Sequence, residues 1–178
     1  MHYAGNVLGQ SPRKENDAEH SWHLSVMCIL LSEYALEKNI DALRIIKMLL
    51  IHDLVEIDAG DTYCYDENPY ENKLKREQEA ADRLFTILPP DQEGEFRKLW
   101  EEFEERRTPE ARFAAALDRL QPLLQNYKTH GLSWQNHGIT SERVLNRNKN
   151  TINEGSTTLW DYAKELINDS IEKGYLPK

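Results

Sequence analysis

The sequence predicts an all-α fold, on three observations. No segment sustains the period-two alternation of a half-buried strand. Apolar residues recur instead three and four apart in several stretches, for example Phe96, Leu99, Trp100 and Phe103. Those stretches are bracketed by capping residues, prolines and glycines at the places where helices start and stop. At 178 residues the chain is long enough to close a substantial core, and a single domain spanning residues 1–178 is expected.

Residues 1–16, with Gly5, Gly9, Ser11 and Pro12, read as an irregular arm. Asn16 or Asp17 can cap a first helix with Glu19 in its first turn, and apolar residues continue through 18–38 as Trp22, Val26, Ile29 and Leu30, with Leu36 nearby. A second helix is expected over 41–58, ended by Gly60. It carries Leu43, Ile46, Met48, Leu49 and Leu50 on more than one face, which marks it as the central buried helix. Residues 61–70 (DTYCYDENPY) read as a polar loop containing Tyr63, Tyr65 and Tyr70. A third helix over 71–88 is halted by Pro89 and Pro90, and a fourth covers 91–106. Thr108 followed by Pro109 starts a fifth, running to Tyr127. The stretch THGLSWQNHG is expected to be a loop, Thr140 or Ser141 to start a short helix, and a last helix to cover 158–173 before Gly174.

The charge balance narrows the function. Lys plus Arg is 22 and Asp plus Glu is 31, a formal charge of -9 with no basic stripe, so a nucleic-acid partner is not expected. An anionic ligand must be small and met by a local cation or a metal ion. Cys28, in an apolar helical run, and Cys64, in a loop, form neither a disulfide framework nor a thiolate metal site. No apolar run is long enough for a membrane and no signal peptide is evident, so the chain is expected in the cytoplasm.

His52 and Asp53 stand in the most apolar helix, where an unpaired polar group costs roughly 2–7 kcal/mol. Glu56, four residues after His52 and three after Asp53, projects from the same side of a helix, and Asp61 follows just past its end. Three acids and a histidine at one helix end repel unless a cation neutralises them. Imidazole nitrogen with carboxylate oxygen suits Zn, Mn, Fe, Co or Ni; carboxylates with water suit Mg. Blander explanations exist for each residue. A His-Asp dipeptide can arise by chance among 6 histidines, Glu56 can be a solvated helix-end acid, Asp61 a turn residue, and His20 a partly exposed side chain near a helix start. Asp118, within ALDRL on an apolar helix, is harder to dismiss. It could pair with Arg112 or Arg119, but adjacent helix residues do not face each other.

The ordered set carries more than its members. His20, then His52-Asp53 thirty-two residues on, then Asp118 sixty-five after Asp53, resembles the HD-domain metal-dependent phosphohydrolases. The words RKENDAEHSWH, IHDLVEIDAGD and ALDRLQPLLQN look like the bacterial branch related to the 5′-deoxynucleotidases, which are nucleoside 5′-monophosphatases. The likeness runs from about Arg13 to the C-terminus and includes LNRNK and GYLPK. It implies an HD-domain helical bundle with a buried metal site and His20, His52, Asp53 and Asp118 as ligands of a divalent ion (Mn, Co, Mg, Zn, Fe or Ni). It also implies catalytic roles for Glu56 and Asp61 and a homodimer; Arg13 matches an arginine that precedes the first ligand in relatives, where a phosphate-binding or a structural role is implied, and it can equally be a solvated arm residue. His23 makes an HxxH pair with His20 and is expected beside the site rather than on the metal. His130 and His137 are expected at the surface, and Lys75 and Arg76 in a solvated charge run. One departure is expected to matter: MHYAGNVLGQ does not resemble the helix that family members usually carry before the RxEN segment, which helps to bind the nucleotide.

The expected activity is therefore metal-dependent hydrolysis of a phosphomonoester, a nucleoside 5′-monophosphate foremost. The alternatives are an HD-type phosphodiesterase or nucleotide pyrophosphohydrolase using the same metal, and a non-catalytic metal- or nucleotide-binding module. A degenerate module would lose Glu56 or Asp61, and both are present.

Overall fold

The computed structural model describes residues 13–60 and 70–178, and the regular elements among them are helices. The first, α1 (Asp17–Leu31), opens on a capping box: the Asn16 side chain accepts from the Glu19 amide at 3.0 Å, and the Glu19 carboxylate accepts from the Asn16 amide at 3.3 Å. A 3₁₀ turn (Ser32–Tyr34) leads to α2 (Ala42–Ile51), where Asp41 is the N-cap.

The continuous helix expected over 41–58 is broken at the His-Asp pair. From Ile51 onward the bonds shorten to three-residue spacing, with the amides of Leu54 and Glu56 reaching the carbonyls of Ile51 and Asp53 at 3.1 and 2.9 Å, before the single turn α3 (Glu56–Ala59). The side chain of His52 explains the break. The Leu49 carbonyl, which would accept the Asp53 amide in a continued helix, instead faces His52 Nδ1 at 3.0 Å.

The remaining elements are α4 (Tyr70–Phe85), α5 (Pro90–Glu105), α6 (Pro109–Lys128), α7 (Leu132–Asn136), α8 (Ser141–Gly155) and α9 (Thr157–Glu172). The expected loop THGLSWQNHG contains α7, held in place by Trp134, which is buried. Just before it, Gly131 takes φ 77°, and a Cβ there would come within 1.8 Å of the Tyr175 carbonyl oxygen, so only glycine fits.

The central helix is α6, not α2. It packs against α1, α2, α5, α8 and α9, whereas α2 leaves Leu43 and Leu50 exposed. Alanine decides this: Ala111, Ala114, Ala115 and Ala116 are all buried and let neighbours approach closely. At the end of α8, a Cβ on Gly155 would lie 2.5 Å from the Arg112 carbonyl oxygen, so α8 meets α6 backbone to backbone.

A second correction concerns α1. Its inner face is His20, Ser21, Leu24, Met27 and Cys28, while Trp22, Ile29 and Leu30, read from the sequence as its apolar set, are 67%, 65% and 65% exposed. The helix is apolar on both sides, and its histidine and serine are drawn inward. α1 and α2 run antiparallel, with Cys28 beside the Ala42 carbonyl at one end and His20 beside Asp53 at the other. Their outer sides present Trp22, Ile29, Leu30, Leu43 and Leu50.

Candidate metal centre

Three helices meet where α1, α2 and α6 pack together, and each delivers a polar side chain to that junction. His20 comes from the first turn of α1. His52 and Asp53 come from the broken end of α2, and Asp118 from the middle of α6. Pro122, four residues beyond Asp118, offers no N–H to the Asp118 carbonyl, so the helical ladder is interrupted at the residue that faces the site.

The junction is tight. His20 Nε2 lies 3.2 Å from Asp118 Oδ1 and 3.8 Å from Asp53 Oδ2; His52 Nε2 lies 3.1 Å from Asp53 Oδ1 and 3.6 Å from Asp118 Oδ1. One ligand atom from each of His20, His52 and Asp118 falls within 4.8 Å of the others, the separation that one ion can bridge. His52 Nε2 is fully buried without a well-formed hydrogen bond, the state of a nitrogen built to meet a cation rather than a protein donor. Two imidazoles and two carboxylates fit a divalent metal ion.

The electrostatics follow from that crowding. Burial would lower the His20 imidazole, but the carboxylates of Asp118, Glu15 and Asp53 outweigh it and push the ring up to about 10. His52 moves the same way: burial opposes the charge, and Asp53 and Asp118 more than compensate. Asp53 is raised by burial and by the neighbouring Asp118, whereas Asp118, despite its burial, is held well below the usual carboxylate range by the His20 and His52 imidazoles that face it.

The other sequence candidates lie as follows. Glu56 begins α3, and its charge acts on Lys73 of α4, which also pairs with Glu77 at 3.2 Å. Asp61, Tyr63, Cys64 and Tyr65 lie outside the described residues, as does the side chain of Tyr70. Arg13 is exposed and holds Glu19 with both terminal nitrogens, one at 2.7 Å. His23 Nδ1 lies 3.1 Å from Gln121 Nε2. His130 and His137 are exposed, and Lys75 pairs with Glu79 at 3.7 Å in solvent.

The sequence reading missed Glu15, Gln121 and Gln125, which are buried around His20. Glu15 was assigned to the irregular arm. The signal that could have found the glutamines is their spacing: Asp118, Gln121 and Gln125 fall at i, i+3 and i+7, a polar stripe among the alanines and leucines of α6.

Residues 4–160 match the family described as the HD domain. The chain belongs to the HD domain family. The 5′-deoxynucleotidase HDDC2 of Homo sapiens is 34% identical over 121 residues, covering 68% of this chain and 57% of that protein. The 5′-deoxynucleotidase hdd1 of Schizosaccharomyces pombe is 24% identical over 168 residues, covering 92% of this chain and 74% of that protein. A crystal structure from Magnetospirillum magnetotacticum MS-1, called a predicted metal-dependent phosphohydrolase, superimposes with a TM-score of 0.88 at 51% identity, over 93% of this chain and 82% of that one. The chain thus spans 57% of the length of the human relative it matches.

Proposed function

We propose that this chain hydrolyses phosphomonoesters with the help of a divalent metal ion, and that nucleoside 5′-monophosphates are its preferred substrates. The observation that carries the reading is the convergence of His20, His52 and Asp118 on one point, with Asp53 beside them. The monoester preference draws on relatives named 5′-deoxynucleotidases. His20 and His52 through Nε2, together with Asp53 and Asp118, would hold the ion. Bound there, it supplies Lewis-acid polarisation of a phosphoryl oxygen and lowers the pKa of water to near neutral. Glu56 would orient the attacking water and take its proton, and Asp61 would protonate the departing 5′-oxygen. Arg13 would meet the phosphate after leaving Glu19. A chain of charge -9 without a basic track has nothing to neutralise several successive phosphates, so oligonucleotides should be poor substrates.

The active form is proposed to be a homodimer joined through the outer sides of α1 and α2. Trp22, Ile29, Leu30, Leu43 and Leu50 there, and Leu36 in the connection between the two helices, are each 49–67% exposed. Together they offer on the order of 600 Å² of apolar surface, near the roughly 800 Å² per partner of a standard interface and at the top of what a monomer usually leaves open. A second copy fits because the surface is self-complementary: apolar helix against apolar helix.

The test is phosphate release by metal-stripped protein given Mg, Mn, Co or Zn separately, over ribo- and deoxynucleoside monophosphates, a diester and a triphosphate. Metal-dependent release from the monophosphates is expected. Turnover of the diester or triphosphate alone would move the reading to the phosphodiesterase or pyrophosphohydrolase class. Metal binding with no turnover of any substrate would point to a non-catalytic module.

A further inference from the structure

Glu15 is a carboxylate in the wrong place for a surface arm: it is 7% exposed and lies against α6 beneath His20. A carboxylate so enclosed normally pairs with a lysine or arginine. Among the described residues Glu15 makes no such ion pair, and the nearby Arg13 is committed to Glu19. Its partners are two amides and an imidazole. Gln121 Nε2 lies 2.9 Å from both carboxylate oxygens, Gln125 Nε2 donates to Oε1 at 2.6 Å, and His20 Nδ1 lies 3.5 Å from Oε2. Both glutamines leave their own Oε1 buried without a partner while turning Nε2 to the acid. Both amides thus turn their donor ends to one carboxylate, as groups gathered around a shared acceptor do.

The two imidazoles of the site are held differently. His52 Nδ1 faces a neutral acceptor, the Leu49 carbonyl, at 3.0 Å. His20 Nδ1 faces a full negative charge, while its Nε2 faces Asp118 and Asp53. An imidazole that gives Nε2 to a metal must keep its proton on Nδ1, and an acceptor there fixes both the tautomer and the plane of the ring.

We propose that Glu15 is the positioning residue for His20: its carboxylate, braced by Gln121 and Gln125, accepts the Nδ1 proton and holds Nε2 toward Asp53 and Asp118, making His20 the more electron-rich of the two histidine donors. The proposal rests on the reading of His20 as a metal ligand. It assigns a purpose to three buried polar residues that do not themselves face the metal, and it explains why a polar stripe crosses an alanine-rich helix.

The experiment measures cobalt(II) and zinc affinity of the full chain by competition with a chromophoric chelator, for wild type, Glu15→Gln and Glu15→Asp. Glutamine matches the shape but sets an NH₂ group against donors and removes the charge, so affinity should fall about 10–100-fold. The visible spectrum of bound cobalt should shift, with helix content by circular dichroism unchanged. Aspartate keeps charge and acceptors and should recover part of the loss. With the metal loaded, kcat for a nucleoside monophosphate should fall while KM stays near wild type. A folded Glu15→Gln with wild-type affinity and an unshifted cobalt spectrum overturns the proposal and leaves the metal site standing. A wild type that binds no metal overturns both. Should neither variant fold, the zinc-loaded wild type decides by ¹⁵N NMR: His20 must carry its proton on Nδ1 in a hydrogen-bond-shifted position, and a metal-bound or unprotonated Nδ1 overturns the assignment.

Discussion

His20 Nε2 and Asp118 Oδ1 lie 3.2 Å apart although 98 residues separate them in the chain, which joins the first turn of α1 to the middle of α6. If both bind one ion, removing either removes tight binding. His20→Ala and Asp118→Ala should each lose the metal on dialysis, and the double variant should be little worse than either single one, because the second change acts on a site already broken. Metal content by mass spectrometry checks this. Additive, partial losses would mean that the two residues act separately.

Asp53 and Glu56 are predicted to separate binding from chemistry. Asp53→Ala should abolish both metal binding and activity, since its oxygens stand 3.1 and 3.8 Å from the two imidazoles. Glu56→Ala should keep the metal and lose activity by a factor on the order of 10²–10⁴, the range for removing a proton acceptor. Loss of the metal in Glu56→Ala would make Glu56 a ligand.

The metal-stripped chain should become less stable as pH rises. His20 is raised from 6.5 to about 10, and His52 is raised too, in each case because carboxylates outweigh burial. Above pH 6.5 the folded chain therefore holds protons that the unfolded chain has released, and by linkage that stabilisation is full below about 6.5 and lost on approach to 10. Metal affinity should run the other way and tighten over the same interval, since the ion competes with those protons. Urea midpoints of stripped protein across pH 6–10 give the first trend and chelator competition the second. A stripped protein that grows more stable with pH would contradict the charge arrangement.

Trp22→Glu with Ile29→Lys should dissociate the proposed dimer without unfolding the chain, because both side chains are about two-thirds exposed in the single copy. Sedimentation should then show half the wild-type mass, with helix content unchanged. A wild type that is monomeric at micromolar concentration would remove the dimer and leave those six apolar side chains without a role.

The helical elements were legible because their caps and stops are local: Asn16 with Glu19, Thr108 with Pro109, and Pro89 with Pro90 act over a few residues. What was not legible depends on tertiary partners. The face that α1 buries could not be read from a helix apolar on both sides. The break after Ile51 arises from the His52 ring facing the Leu49 carbonyl, which periodicity does not register. The centrality of α6 comes from small residues, and hydrophobicity counts undervalue alanine. At the site, His20, His52, Asp53 and Asp118 were picked out by order and spacing, whereas Glu15 sits in a stretch with no pattern and is recognisable only once α6 lies against it.

The central claim, one divalent ion held by residues from α1, α2 and α6, is tested most directly by a crystal structure of the metal-loaded protein with anomalous scattering recorded at the metal edge. The account predicts one strong peak per chain, about 2.0–2.2 Å from His20 Nε2, His52 Nε2 and an oxygen each of Asp53 and Asp118, if the ion is zinc. A peak elsewhere in the fold, or one at this junction that leaves His20 or Asp118 uncoordinated, would contradict it.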